Sequence, residues 1–170
     1  GFTATPWRLS GQGLDEVYES MIEGPTVSWL IENHFLAPFD YYAPKLIDTS
    51  RLKKSSTGDY TNKSMDKAVK PTIYGDVIKY YRQLADGKQA IVYAHNIKAS
   101  QAIAQQFNDA GITAVHADSK TPAAERDAIM SKFKAGKITI LSNVDLISEG
   151  FDVPDVSVVI MLRPTASLVL

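Results

Sequence analysis

The chain predicts an α/β fold, a mostly parallel sheet with helices on both faces. Short Val- and Ile-rich runs at Ala90–Ala94, Thr113–His116, Ile138–Ser142 and Val156–Leu162 alternate with amphipathic stretches. Such short, mainly apolar runs suit strands buried on both sides, joined by right-handed crossovers. Cap and breaker residues fall between them: Asp86-Gly87, Asn96, Gly111, Thr121-Pro122 and Gly136. Composition agrees, because 170 residues with 45% hydrophobic and 22% charged side chains can build one substantial core.

From the N-terminus, Leu14, Val17, Tyr18, Met21 and Ile22 recur at helical spacing and predict a helix over Leu14–Glu23, which Gly24-Pro25 breaks. Thr26–His34 reads as a second short helix and Phe39–Ala43 as a short strand. Ser50–Lys70, rich in Ser, Thr, Lys and Asp, reads as the least structured part, a loop. Thr72–Ala85 is a helix closed by Asp86-Gly87. Helices are expected over Lys98–Ala110, with Ala99, Ile103 and Phe107 on one face, and over Pro122–Ala135, with Thr121 as its cap. A last short helix is expected over Val144–Glu149. No internal repeat is visible.

The stretch Ile138 to Pro154 carries the strongest chemical signal. A β-branched run ends at Ser142-Asn143, a helical turn follows, and Gly150 and Asp152 stand where that turn must stop. Polar residues joining a strand to a helix N-terminus place N–H donors toward an anion. Gly150 can adopt the left-handed conformation that ends a helix, and a carboxylate at Asp152 can accept bonds from ribose hydroxyls.

The order and spacing of this stretch resemble motif V of superfamily 2 (DEAD/DEAH-type) helicases, and other segments resemble further motifs of that family. Gly1 to Arg8, with Thr3-Ala4-Thr5-Pro6, resembles motif III. Ala90 to Asn96 resembles motif IV, and His116-Ala117-Asp118-Ser119 with Glu125-Arg126 resembles the segment that follows it. Val158 to Thr165 is similar to the strand leading toward motif VI. The resemblance implies a second RecA-like (P-loop NTPase-type) motor lobe of bacterial or phage type. Residues 1–9 would end the first lobe, residues 10–72 would pack on the motor lobe, and residues 73–170 would form the lobe itself, truncated before motif VI.

The resemblance also implies roles. Ser142, Asn143, His95, Asn96, His116 and Ala117 would lie along a nucleic-acid backbone, Gly150 and Asp152 on the ribose side of ATP, and Thr3 and Thr5 would couple the lobes. Structural roles compete with these: Asn96 and Ser142-Asn143 can be helix caps, Asp118 a loop organiser, and Arg126 the buried partner of a carboxylate, with Asp145 the candidate. No G-x-x-x-x-G-K-S/T loop and no Asp-Glu-x-His or similar metal-holding strand occurs in the chain. ATP and Mg²⁺ would therefore need the other, N-terminal RecA-like lobe, and this chain alone is expected to be inactive. The alternatives are the motor lobe of a restriction or remodelling translocase, or a lobe used only to bind nucleic acid or protein.

Net charge is −1, but it is unevenly spread. Gly11 to Pro44 contains no Lys or Arg. In Lys45 to Lys70 the cations Arg51, Lys53, Lys54, Lys63, Lys67 and Lys70 outweigh Asp48, Asp59 and Asp66, a stretch able to touch phosphates or simply to remain solvated. Trp29, Phe35, Phe39, Tyr41 and Tyr42 are expected to pack in a core, with stacking on bases the other use. The absence of cysteine, secretory signal and long apolar run leads to the expectation of a cytoplasmic protein without membrane contact. With the resemblance goes the expectation of a nucleic-acid partner, DNA rather than RNA.

Overall fold

The computed structural model describes residues 16–44, 48–55, 59–68, 71–147, 151 and 153–165. Its centre is a four-stranded, wholly parallel sheet of β1 (Gln89–Ala94), β2 (Ala114–Ala117), β3 (Ile140–Asn143) and β4 (Val156–Leu162), in the order β2-β3-β1-β4. Five helices accompany it among the described residues: α1 (Val27–Glu32), α2 (Asn62–Ala68), α3 (Pro71–Ala85), α4 (Ile97–Asp109) and α5 (Ala123–Lys134).

Strand order fixes which face each connection covers. The chain leaves β1, crosses to the far edge at β2, and turns back to fill the middle with β3. A right-handed crossover that reverses direction must change faces. So α4 covers one face and α5 the other. On the first face Ile103 and Phe107 of α4 and Val77 and Tyr81 of α3 bury against Ala90, Val92, Ala114 and Ile140. The Tyr81 ring meets Phe107 edge-on at 5.5 Å. On the second face Ile129 and Phe133 of α5 bury against Ile91, Ala117 and Leu141, together with Ile147 and Val153 of the β3–β4 connection. Burying a side chain such as Phe107 or Phe133 contributes about 2–3 kcal/mol. Glycines in the left-handed region close three elements: Gly87 (φ 74°) after α3, Gly111 (φ 78°) after α4 and Gly136 (φ 69°) after α5.

The four strands expected between Ala90 and Leu162 and the helices α1, α3, α4 and α5 are present, with ends displaced by a residue or two. Five expectations are corrected. Residues 16–23 form turns, a bend and irregular chain, not a helix, and Val17, Tyr18, Met21 and Ile22 are exposed, Ile22 almost fully. Helical spacing without a surface to pack on does not hold a helix. Phe39–Ala43 is not a strand, since no neighbouring strand pairs with it. Trp29, Phe35, Phe39, Tyr41 and Tyr42 are not core residues but exposed, with Trp29 and Phe35 stacked on each other at 5.8 Å.

The stretch read as a loop is organised. Thr49–Arg51 form a 3₁₀ turn, Lys54 bridges to Tyr60, and α2 follows. Local hydrogen bonds hold it: the Ser64 hydroxyl donates to the carbonyls of Lys53 and Thr61, and Met65 beneath it is buried. Finally, α5 begins at Ala123 with Pro122 in the cap position, so Thr121 lies outside the helix. Its hydroxyl instead accepts from the N–H of Asp118 at 3.0 Å.

Candidate functional site

Adjacent strands whose exits leave on opposite faces open a crevice at their C-terminal ends, where ligands of open α/β sheets sit. Here those strands are β1, which exits into α4, and β3, whose exit runs on the α5 face. The residues at this point are His95-Asn96 after β1 and Ser142-Asn143 at the end of β3. His116 and Ala117 of β2 lie beside them, in register with Ser142 and Asn143.

Ser142 and Asn143 are fully buried, and internal bonds occupy their side chains. Asn143 Nδ2 donates to the Val92 carbonyl at 3.1 Å, while Oδ1 accepts from the N–H groups of Leu146 and Ile147 at 3.3 and 3.2 Å. That is the bonding of a helix cap, yet Val144–Ile147 is a series of bends rather than the expected helix. Asp145 stands in the left-handed region at φ 48°, a conformation no α-helix interior tolerates. Asn143 thus caps a tight turn.

A polar chain crosses the end of the sheet. Ser142 Oγ and Ser100 Oγ are 2.7 Å apart, Ser100 Oγ lies 2.7 Å from His116 Nδ1, and His116 Nε2 lies 3.2 Å from Asp118. One self-consistent placement of the protons takes Asp118 as ionised and the His116 ring as neutral. His116 donates from Nε2, Ser100 donates to Nδ1, and Ser142 donates to Ser100. Burial disfavours the Asp118 charge, but N–H donation from Lys120 and Thr121 and the imidazole of His116 together outweigh it. The carboxyl is held below its ordinary value. Asp118 is the organiser of this turn, accepting from the Lys120 and Thr121 N–H groups at 2.8 and 3.0 Å.

At the neighbouring corner, His95 is buried and donates from Nε2 to Asp66 of α2 at 2.9 Å, and its buried Nδ1 has no partner among the described residues. Asn96 donates to the same carboxylate and caps α4 by accepting from the Ala99 N–H at 2.8 Å. Beyond β4, Arg163 pairs with both Asp145 and Asp59. Asp145 was the expected partner of Arg126. Its partner is Arg163, and Arg126, half-buried on α5, makes no ion pair among the described residues.

The structure therefore gathers His95, Asn96, His116, Ala117, Ser142 and Asn143 along one edge of the sheet. Thr3, Thr5, Gly150 and Asp152 lie outside the described residues. Ser100, Asp66 and Arg163 hold the site together and were not singled out from the sequence. Ser100 had a signal: it falls on the apolar stripe with Ile103 and Phe107, where a polar side chain must find a buried partner. Asp66 had none, because its bonds to His95 and Asn96 join distant parts of the chain.

Comparison with known proteins adds the family. Residues 72–169 match the model of the helicase conserved C-terminal domain. The chain is 56% identical over 170 residues to a 51.5 kDa protein of a Lactococcus phage (isolate 7-9), covering 100% of this chain and 37% of that protein. It is 26% identical over 171 residues to the putative ATP-dependent helicase IRC3 of Saccharomyces cerevisiae, covering 98% of this chain and 25% of that protein. Among solved structures, S. cerevisiae Dbp5 bound to RNA and ADP BeF3 is similar with a TM-score of 0.49 at 19% identity, over 55% of this chain and 24% of that one. The chain thus spans 37% and 25% of the length of these two relatives.

Proposed function

Because the chain belongs to the helicase conserved C-terminal domain family, we propose that it is the second motor lobe of an ATP-dependent nucleic-acid helicase or translocase. The observation that carries this reading is the crevice between β1 and β3, which lies within the family-matched residues and collects six polar or small residues at one sheet edge. The yeast relative is named a putative ATP-dependent helicase.

In this reading the crevice follows the phosphate backbone of a nucleic-acid strand. Ser142 and Asn143 act as positioning residues: their buried side chains shape the Val144–Ile147 turn, which borders the path of the strand. His116 and Ala117 hold the neighbouring turn, and His95 and Asn96 the start of α4. Gly150 and Asp152 form the ribose side of an ATP cleft, and Thr3 and Thr5 couple that cleft to the strand. A partner lobe supplies the phosphate loop and the Mg²⁺ ligands, so this chain alone does not hydrolyse ATP. Hydrolysis between the lobes would change their spacing and move the grip along the strand. DNA is the proposed track, and the cytoplasm the proposed location. Among the described residues no helix is long and apolar enough to cross a membrane.

The test is Asp152→Ala in an enzyme joining this lobe to a phosphate-loop lobe. The expected result is a raised KM for ATP with the unfolding midpoint unchanged. Unaltered ATP kinetics would remove Asp152 from the ribose site.

A further inference from the structure

We propose that the segment from Asp48 to Ala68 carries a second phosphate-backbone site, which holds the nucleic-acid strand beside the β1–β3 crevice. The inference rests on the nucleic-acid reading above and concerns residues that precede the family-matched region.

The segment forms a concavity of about 590 Å³, with Arg51, Lys53, Lys63 and Lys67 in its lining. Among the described residues one carboxylate lines it, Asp48, which accepts from the N–H and hydroxyl of Ser50 at 3.0 and 2.6 Å and offsets part of the Arg51 charge, so the lining keeps an excess of three positive charges (four cations less one anion). None of the four cations makes an ion pair among the described residues. Four like charges around one hollow repel each other, and an anion seated there relieves that repulsion. The frame is firm: Ser64 is buried and ties α2 to the Lys53 backbone, accepting from the Lys53 N–H at 3.2 Å.

Placement decides which anion. The segment's other two carboxylates, Asp59 and Asp66, bond instead to residues at the sheet edge. Asp66 holds His95 and Asn96 at the end of β1, and Asp59 pairs with Arg163 and accepts from the Thr165 hydroxyl at 3.1 Å beyond β4. Its carboxylates thus fasten the segment to the ligand edge of the sheet while its cations line the open hollow. An open hollow of separate lysines, with no glycine-rich loop, suits successive phosphodiesters rather than the clustered phosphates of a nucleotide.

The experiment measures binding of a fluorescein-labelled oligothymidylate to the chain as a function of salt. Lys63→Gln with Lys67→Gln removes two exposed charges, and Lys132→Gln with Lys134→Gln on α5 removes the same charge elsewhere. Each lost phosphate contact flattens the salt slope by about 0.7, so the first pair should weaken binding about ten- to twenty-fivefold between 0.1 and 0.2 M salt. The α5 pair should leave binding near that of the parent, and Lys63→Arg with Lys67→Arg should restore it. Equal loss in both Gln pairs, or no loss in the first, overturns the site. So does a first pair that loses ATP binding and keeps the oligonucleotide. A parent chain that binds no nucleic acid at all overturns the functional reading itself, and this site with it.

Discussion

Asn143 donates to the Val92 carbonyl at 3.1 Å, and so ties the end of β3 to β1 at the point where the two strands send their exits to opposite faces. The same side chain holds the Val144–Ile147 turn through two accepted bonds. Asn143→Ala removes the bonds to the Leu146 and Ile147 N–H groups and to the Val92 carbonyl. A loss of about 2–4 kcal/mol is expected. A lowered urea midpoint at unchanged slope would show it, and an unmoved midpoint would deny the side chain its structural role.

Ser100 is the hinge of the polar chain from Ser142 to Asp118. Ser100→Ala removes one oxygen and leaves His116 Nδ1 and the Ser142 hydroxyl short of a partner, at a cost of about 1–3 kcal/mol. Because Ser142 and Ser100 share a bond, a double-mutant cycle with Ser142→Ala should be non-additive by about 1 kcal/mol. Additive losses would show that the two hydroxyls act independently.

Asp118 makes stability pH-dependent in acid. Its carboxyl is held below the ordinary value, so below about pH 4 the unfolded chain binds its proton first and stability falls as pH falls. The contribution is complete above the unfolded value and lost as pH drops through the folded one. Asp118→Asn should be less stable than the parent at neutral pH. Below pH 4 it should show a shallower decline. Parallel pH curves for both proteins would contradict this.

Arg163 pairs with Asp59 and Asp145, and so fastens both the 48–68 segment and the β3–β4 turn to the end of β4. Arg163→Met should cost about 1–3 kcal/mol, since Asp59 is only 15% exposed and loses a cationic partner. Limited proteolysis should then cut within 48–68 ahead of the sheet. Cleavage that instead tracks global unfolding would show that other contacts anchor the segment.

The sheet and its helices were legible in the sequence because their apolar period and their caps agree. Ile103, Phe107 and Ala110 with Gly111 spell a helix and its end, and Ala90–Ala94 spells a buried strand. Legibility failed where local pattern lacked a tertiary partner. Val17, Tyr18, Met21 and Ile22 have helical spacing but remain exposed. It failed again where a long-range bond overrode local preference, as at Asp145, held by Arg163 in a left-handed turn. The candidate site was found in outline from strand ends. What its side chains do was not readable, because the burial of Ser142 and Asn143 depends on Ser100 and Val92, which are remote in sequence.

The most direct measurement is ATP hydrolysis by a protein that joins this lobe to a phosphate-loop lobe, run without nucleic acid and then with single-stranded DNA, duplex DNA and RNA. The expected result is slow basal hydrolysis that rises with DNA, and loses that rise in Asn143→Ala at a temperature where the variant stays folded. Hydrolysis indifferent to every nucleic acid, or no hydrolysis in a folded two-lobe protein, would contradict the motor reading.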